Sequence, residues 1–232
     1  MESDRSWILT LHGIRRDRIP DEQRPKNRWI DLELFTGLLD RIIEDPKHRM
    51  ELSFDDGNLS DYELAFPELS KRGLSATFFI LAGQIGKPGY VGPAEIKAMR
   101  EGGMRIGSHG MNHVSWRGLS RAAAKQEFEQ SRSILEDLLQ EEVLEAACPC
   151  GLYNQRTLRQ LRSAGFQTVY CSNRGPTRTT DFLQARNTVH ASMTPDQILD
   201  EKLSYRINRL RQTRLFLKRF RYQIPSEPKS CA

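Results

Sequence analysis

Two aspartates, Asp55 and Asp56, stand side by side after the apolar run "MELSF" and just before Gly57. Adjacent carboxylates repel, so the pair is costly unless something positive shares their site. The plainer alternative is a strand-to-helix turn, with an aspartate capping the next helix and Gly57 supplying a loose backbone angle. Further along, "SHGMNH" spaces His109 and His113 four residues apart. On a helical turn that spacing puts both rings on one face, where they can reach one ion. Two imidazole nitrogens and one carboxylate oxygen form a three-ligand site that keeps a position open for water. A divalent cation would make the adjacency of the aspartates tolerable. One carboxylate binds it, and the other takes a proton from a water whose pKa has been drawn from 15.7 toward ~7.

These residues need elements to hold them. Apolar, β-rich runs occur at "WILTLH" (7–12), "MELSF" (50–54), "ATFFILA" (76–82), "MRIGS" (104–108), "VLEAAC" (143–148), "QTVYCS" (167–172) and, more weakly, at 183–189. Helix-period segments lie between most of them, including "DLELFTGLLDRIIED" behind an Asp31 cap and a long helix from a Ser120 cap. Pro67 predicts a kink in the helix that follows Gly57. Such alternation implies a parallel sheet with helices outside it, either closed as an imperfect barrel or open and doubly wound. His12, the Asp55–Asp56 pair, His109 with His113, and "CPCGLYN" (148–154) all fall at carboxyl ends of predicted strands. That is where parallel α/β folds build active sites.

At 232 residues, with 38% apolar and 28% charged residues, the chain has material for one large soluble domain. No apolar run approaches the ~20 residues of a membrane span, and the start shows no basic segment leading into a long apolar one. The four cysteines form no zinc-finger spacing, so they read as free thiols in a reducing cytoplasm. Cys148 and Cys150 read as small packing residues at a strand end. Between Pro195 and Tyr222 eight basic residues face three acidic ones, a surplus of five that equals the net charge of +5. The body is therefore near neutral, which argues against a nucleic-acid partner. The tail, with Leu199, Leu203, Ile207, Leu210 and Leu217 at helical spacing, reads as a basic amphipathic helix. It either closes the domain or makes a peripheral contact with an anionic surface. The chain thus divides at 1–192 and 193–232.

"SFDDG", "HGMNH" and "PCGLYN" together resemble the three leading motifs of the polysaccharide deacetylase family, the metal-dependent carbohydrate esterases of the chitooligosaccharide deacetylase type. "ATFFILA" and "LRSAGFQTVYCS" also look like segments of that family, so the resemblance covers roughly residues 7 to 190. It implies a distorted (β/α) barrel of about seven parallel strands and hydrolysis of N-acetyl groups on amino sugars of a poly- or oligosaccharide. It implies Asp55 as general base and Asp56, His109 and His113 as ligands of one divalent metal ion, zinc first, with cobalt or manganese as substitutes. It also implies that the backbone N–H of Cys150 helps hold the oxyanion. Three departures stand out. Gly110 occupies a position where the family usually has Ser or Thr. Cys148 stands where an Arg commonly steadies the base, leaving Arg186 as a candidate for that task. The late Leu-x-His general acid has no clean match, and His190 is the histidine in that region. Two rivals follow: a catalytically silent carbohydrate-binding relative, and a related metal hydrolase acting on a non-sugar amide.

Overall fold

The computed structural model describes residues 5–17, 28–44 and 50–198. β1 (Arg5–Leu11) is followed by the short strands β2 (Gly13–Arg15) and β3 (Trp29–Asp31), then by β4 (Met50–Phe54), β5 (Ala76–Ile80), β6 (Arg105–Ser108) and β7 (Glu145–Ala147). β8 (Thr168–Cys171), β9 (Thr177–Arg178) and β10 (Leu183–Thr188) complete the strands. Seven of them pair in parallel in the order β1-β4-β5-β6-β7-β8-β10, and β10 pairs back to β1 with Arg186 opposite Ile8. The sheet is a closed barrel, and all seven staves coincide with the apolar runs of the sequence. β2 and β3 form a separate parallel pair in what reads as a polar loop, and β9 adds an antiparallel bridge at the start of β1.

Alternation along the strands sorts the side chains. Leu9, Leu11, Leu52, Phe54, Phe78, Ile80, Val169 and Cys171 belong to the main core under the helices. Ile8, Phe79, Ala147 and Tyr170, the residues of opposite parity, form a second cluster inside the barrel. Phe79 fits there because β6 carries Gly107, where a Cβ would lie 2.6 Å from the Phe79 ring.

The outer helices are α1 (Leu32–Glu44), α2 (Phe66–Lys71), α3 (Pro93–Glu101), α4 (Arg121–Ala124), α5 (Ser131–Leu139) and α6 (Gln155–Ser163). Asp31 caps α1 by accepting the Leu34 N–H at 2.9 Å, and Ser120 caps α4 by accepting that of Ala123 at 3.2 Å. Pro67 does not kink a continuous α-helix as expected. Asp61–Ala65 is a π turn, and Pro67 falls in the first turn of α2, where its missing N–H costs nothing. A second π turn, Lys125–Gln130, separates α4 from α5 within the long helix. After β10 a helix starts behind Thr194, whose Oγ1 accepts the Gln197 N–H at 3.2 Å, and Ile198 is buried in the main core. The rest of the expected basic helix, Leu199 onward, lies outside the described residues, as does His48.

Candidate active site

The strand register determines what meets at the carboxyl end of the barrel. Leu11 pairs with Phe54, and the Asp55 N–H donates to the Leu11 carbonyl at 2.9 Å, so His12 and Asp55 are lateral neighbours. Thr10 pairs with Thr188, so His190 stands level with His12 at the end of the strand on the other side. Asp55 has the parity of Ser53 and turns inward. There Arg186, 1% exposed, grips it with both guanidinium arms, at 2.6 Å to Oδ1 and 2.8 Å to Oδ2. The weak candidate of the sequence thus proves to be the partner of Asp55. Burial opposes a charge on Asp55, but Arg186, aided by His109, outweighs it and holds the carboxyl well below its ordinary range.

Asp56 meets the same ring as Asp55, whose Oδ2 is 4.0 Å from His109 Nε2. Asp56 Oδ1 is 3.5 Å from His109 Nε2 and 3.4 Å from His113 Nε2, and one ligand atom from each of the three residues lies within 4.8 Å of the others. The His pair is not on a helical turn. His109 follows β6, and residues 110–113 form an irregular loop with φ of +82° at Gly110 and +55° at His113. Those turns bring the two rings to 5.3 Å between centroids. The Ala147 carbonyl, an acceptor only, lies 2.9 Å from His109 Nδ1, so Nδ1 carries the hydrogen and Nε2 turns its lone pair toward Asp56.

These residues fit a cation. Asp56 Oδ1 is buried without a hydrogen-bond donor although it sits between two ring nitrogens. Burial, then the charge of Asp55, pushes the Asp56 carboxyl up to about 7. Burial lowers His109 to about 3 and lowers His113 as well, so both rings are neutral donors. His12 is lowered to about 4, again chiefly by burial, with Asp55 opposing. Five non-glycine residues among those described have positive φ, and Asp56 (+80°), His113 and Cys150 (+55°) are three of them. Each such backbone costs on the order of 1–3 kcal/mol and persists where the surroundings over-determine it. Cys150 lies in the turn Pro149–Gly151 that follows β7. Cys148 and Cys171 are buried free thiols.

Two buried acids beside the site escaped the sequence reading. Asp61, fully buried in the first π turn, is pushed well above its usual value by burial and then by the charge of Asp56. Glu127, 2% exposed in the second π turn, accepts hydrogen bonds from the loop between the two histidines. A charged residue on the apolar stripe of a helix, between Ala124 and Phe128, was the available signal.

At the carboxyl end of a closed parallel barrel, a carboxylate paired with an arginine thus stands beside a two-His, one-Asp cluster that could hold a metal ion. The family model for polysaccharide deacetylase matches residues 43–169, more than half of the chain, and the chain belongs to that family. It is 29% identical over 116 residues to YxkH of Bacillus subtilis (strain 168), which carries a polysaccharide deacetylase name; the match covers 50% of this chain and 42% of that protein. It is 26% identical over 136 residues to the poly-β-1,6-N-acetyl-D-glucosamine N-deacetylase of Staphylococcus aureus (strain MRSA252), covering 53% and 47%. The chain thus spans less than half the length of these curated relatives. Among solved structures, the Streptococcus pyogenes deacetylase PplD in complex with acetate superposes with a TM-score of 0.77 at 22% identity, covering 84% of this chain and 97% of that one. IcaB from Ammonifex degensii gives 0.68 at 24% identity, covering 84% and 94%. These likenesses establish the shared barrel.

Proposed function

We propose that this chain is a metal-dependent hydrolase that removes acetyl groups from N-acetylated sugars of a poly- or oligosaccharide. The observation that carries the reading is the division of the aspartate pair. Asp55 is tied to Arg186, while Asp56 is left facing two neutral histidine nitrogens. Asp56, His109 and His113 would hold one divalent ion, zinc first, with cobalt or manganese as substitutes. When bound, such an ion polarises the acetyl carbonyl and makes water nucleophilic near neutral pH. Asp55, kept ionised and fixed in plane by Arg186, takes the proton of the attacking water. The backbone N–H of Cys150 donates to the oxygen that becomes negative.

The departing amine needs a proton. His190, implied by the resemblance, and His12 are the two histidines level with each other at this end of the barrel. Burial lowers His12 to about 4, so its ring carries no acidic proton near neutral pH, and His190 is the donor in this reading. Support for the sugar comes from the named N-deacetylase relative and from the family. The domain reading keeps this chemistry within residues 1–192. The segment from 193 either closes the domain, which the burial of Ile198 supports, or makes a peripheral contact through its basic face, and none of the described helices is long and apolar enough to cross a membrane.

Acetate release from N- and O-acetylated glycans, with added Zn²⁺, Co²⁺ or Mn²⁺, tests the reading. Asp55→Asn should abolish turnover with metal content near normal, whereas His113→Ala should lose both. Loss of the true proton donor should lower turnover by ~10²–10⁴ and remove the basic limb of the pH profile, so His12→Ala and His190→Ala compete directly. Glycan binding without acetate release from any substrate would replace the reading with a silent carbohydrate-binding relative. Release only from non-sugar acetamides would move the substrate class.

A further inference from the structure

The metal-binding loop has no regular structure of its own, which raises the question of what holds His113 in place. Its carbonyls are anchored on one side, where Gly110 accepts the Ala82 N–H at 2.9 Å and Met111 accepts that of Gly83 at 3.1 Å. On the other side a single carboxylate does the holding. Glu127 Oε2 accepts the Met111 N–H at 2.8 Å, and Oε1 accepts from Asn112 Nδ2 at 3.2 Å. Both oxygens are thus spent on the two residues just before His113.

The rest of the packing serves the same contact. A Cβ on Gly110 would lie 2.4 Å from Glu127 Oε2, so this acid approaches the loop only because position 110 is glycine, whose φ of +82° also suits it. The π turn Lys125–Gln130 carries Glu127, and a hydroxyl relay fixes that turn to the barrel. Ser131 Oγ donates to the Glu127 carbonyl at 2.6 Å and lies 3.0 Å from Ser108 Oγ, which accepts the Gly110 N–H at 3.1 Å. A carboxylate buried to this degree is costly unless its lone pairs are satisfied. Here they are satisfied by the loop alone.

We infer that Glu127 is a positioning residue for the metal site, which sets the path of the loop from His109 to His113 through hydrogen bonds to Met111 and Asn112. The inference rests on the reading of Asp56, His109 and His113 as ligands of one ion. Glu127 is not itself a ligand. It acts through the backbone between two of them, and Gly110 is its steric counterpart.

The test is the affinity of the full chain for Zn²⁺ alone, measured by competition with a chelator, together with the visible spectrum of the Co²⁺ form. Glu127→Ala should bind Zn²⁺ about 10–100-fold more weakly, the usual cost of losing a group that orients ligands, and should change the intensity of the Co²⁺ bands. Glu127→Gln should stay within about threefold of the parent, because its amide oxygen still accepts from Met111 and a flipped Asn112 amide can take its N–H. A merely structural Glu127 would lower the melting temperature of the metal-free protein without moving affinity or spectrum. Should Glu127→Ala fail to fold, Asn112→Ala removes one of the two bonds from an exposed residue and should weaken Zn²⁺ binding by about two- to fivefold. Wild-type affinity and spectrum in Glu127→Ala, or in Asn112→Ala where that variant stands in, would overturn the inference while leaving the metal reading intact. A parent chain that binds no Zn²⁺ would overturn both.

Discussion

Replacing Arg186 by Met removes one half of a buried ion pair and leaves the other half behind. Arg186 is 1% exposed and Asp55 4%, and two charge-assisted bonds of 2.6 and 2.8 Å join them. Two unit charges ~4 Å apart attract by about 4 kcal/mol at an effective dielectric of about 20, and breaking a buried pair by losing one partner costs roughly 3–5 kcal/mol. Since 1 kcal/mol moves the melting temperature of a chain this size by roughly 2–4 °C, Arg186→Met should melt roughly 6–20 °C lower in chelator. Adding Asp55→Asn removes the stranded charge, so the double variant should be more stable than Arg186→Met alone. The pH dependence has a definite sign. In the parent, the depressed Asp55 pKa contributes stability that is present above the unfolded value of ~3.9 and lost as pH falls through the lower folded value. Without Arg186, burial pushes Asp55 up instead, so the deficit of the variant should shrink as the medium is acidified. Urea unfolding at several pH values reads both effects. A melting temperature within about 3 °C of the parent, or strictly additive losses in the double variant, would refute the argument.

Asp61 gives the opposite sign. Its pKa is raised by burial and by Asp56, so the folded state holds a proton that the unfolded chain releases above ~3.9, and stability falls as pH rises past that value. Asp61→Asn should therefore stabilise the protein at neutral pH and lose that advantage in acid, which denaturation curves at two pH values would reveal. Gly107→Ala would drive a methyl to within 2.6 Å of the Phe79 ring and 3.0 Å of the Glu145 carbonyl. The expected cost is about 1–3 kcal/mol of overpacking, and an unchanged urea midpoint would show that the barrel interior has more room than it displays.

The seven staves of the barrel could be read from sequence because each is an apolar, β-rich run bounded by helix-period segments, a signal local to a few residues. The same holds for the Asp31 and Ser120 caps and for the cluster of chemical groups at strand ends. Barrel closure was implied by the motif resemblance but not by the alternation itself, since it depends on β10 returning to β1 across nearly the whole chain. The His-x-x-x-His spacing pointed to two rings that meet, as they do, but it suggested a helical turn where the chain uses two positive-φ residues. The partner of Asp55 was only a weak candidate, because Arg186 on the last strand is distant in sequence and becomes adjacent only on closure. Glu127 was hidden within a helical stripe, and Gly110 looked like the loss of a hydroxyl. Their relation appears only when the π turn sets that carboxylate against the loop. Residue type and spacing, which are short-range, determined the chemistry on offer. Long-range strand register and packing determined which charged groups share a low-dielectric interior, and hence which aspartate is paired and which is left facing the histidines.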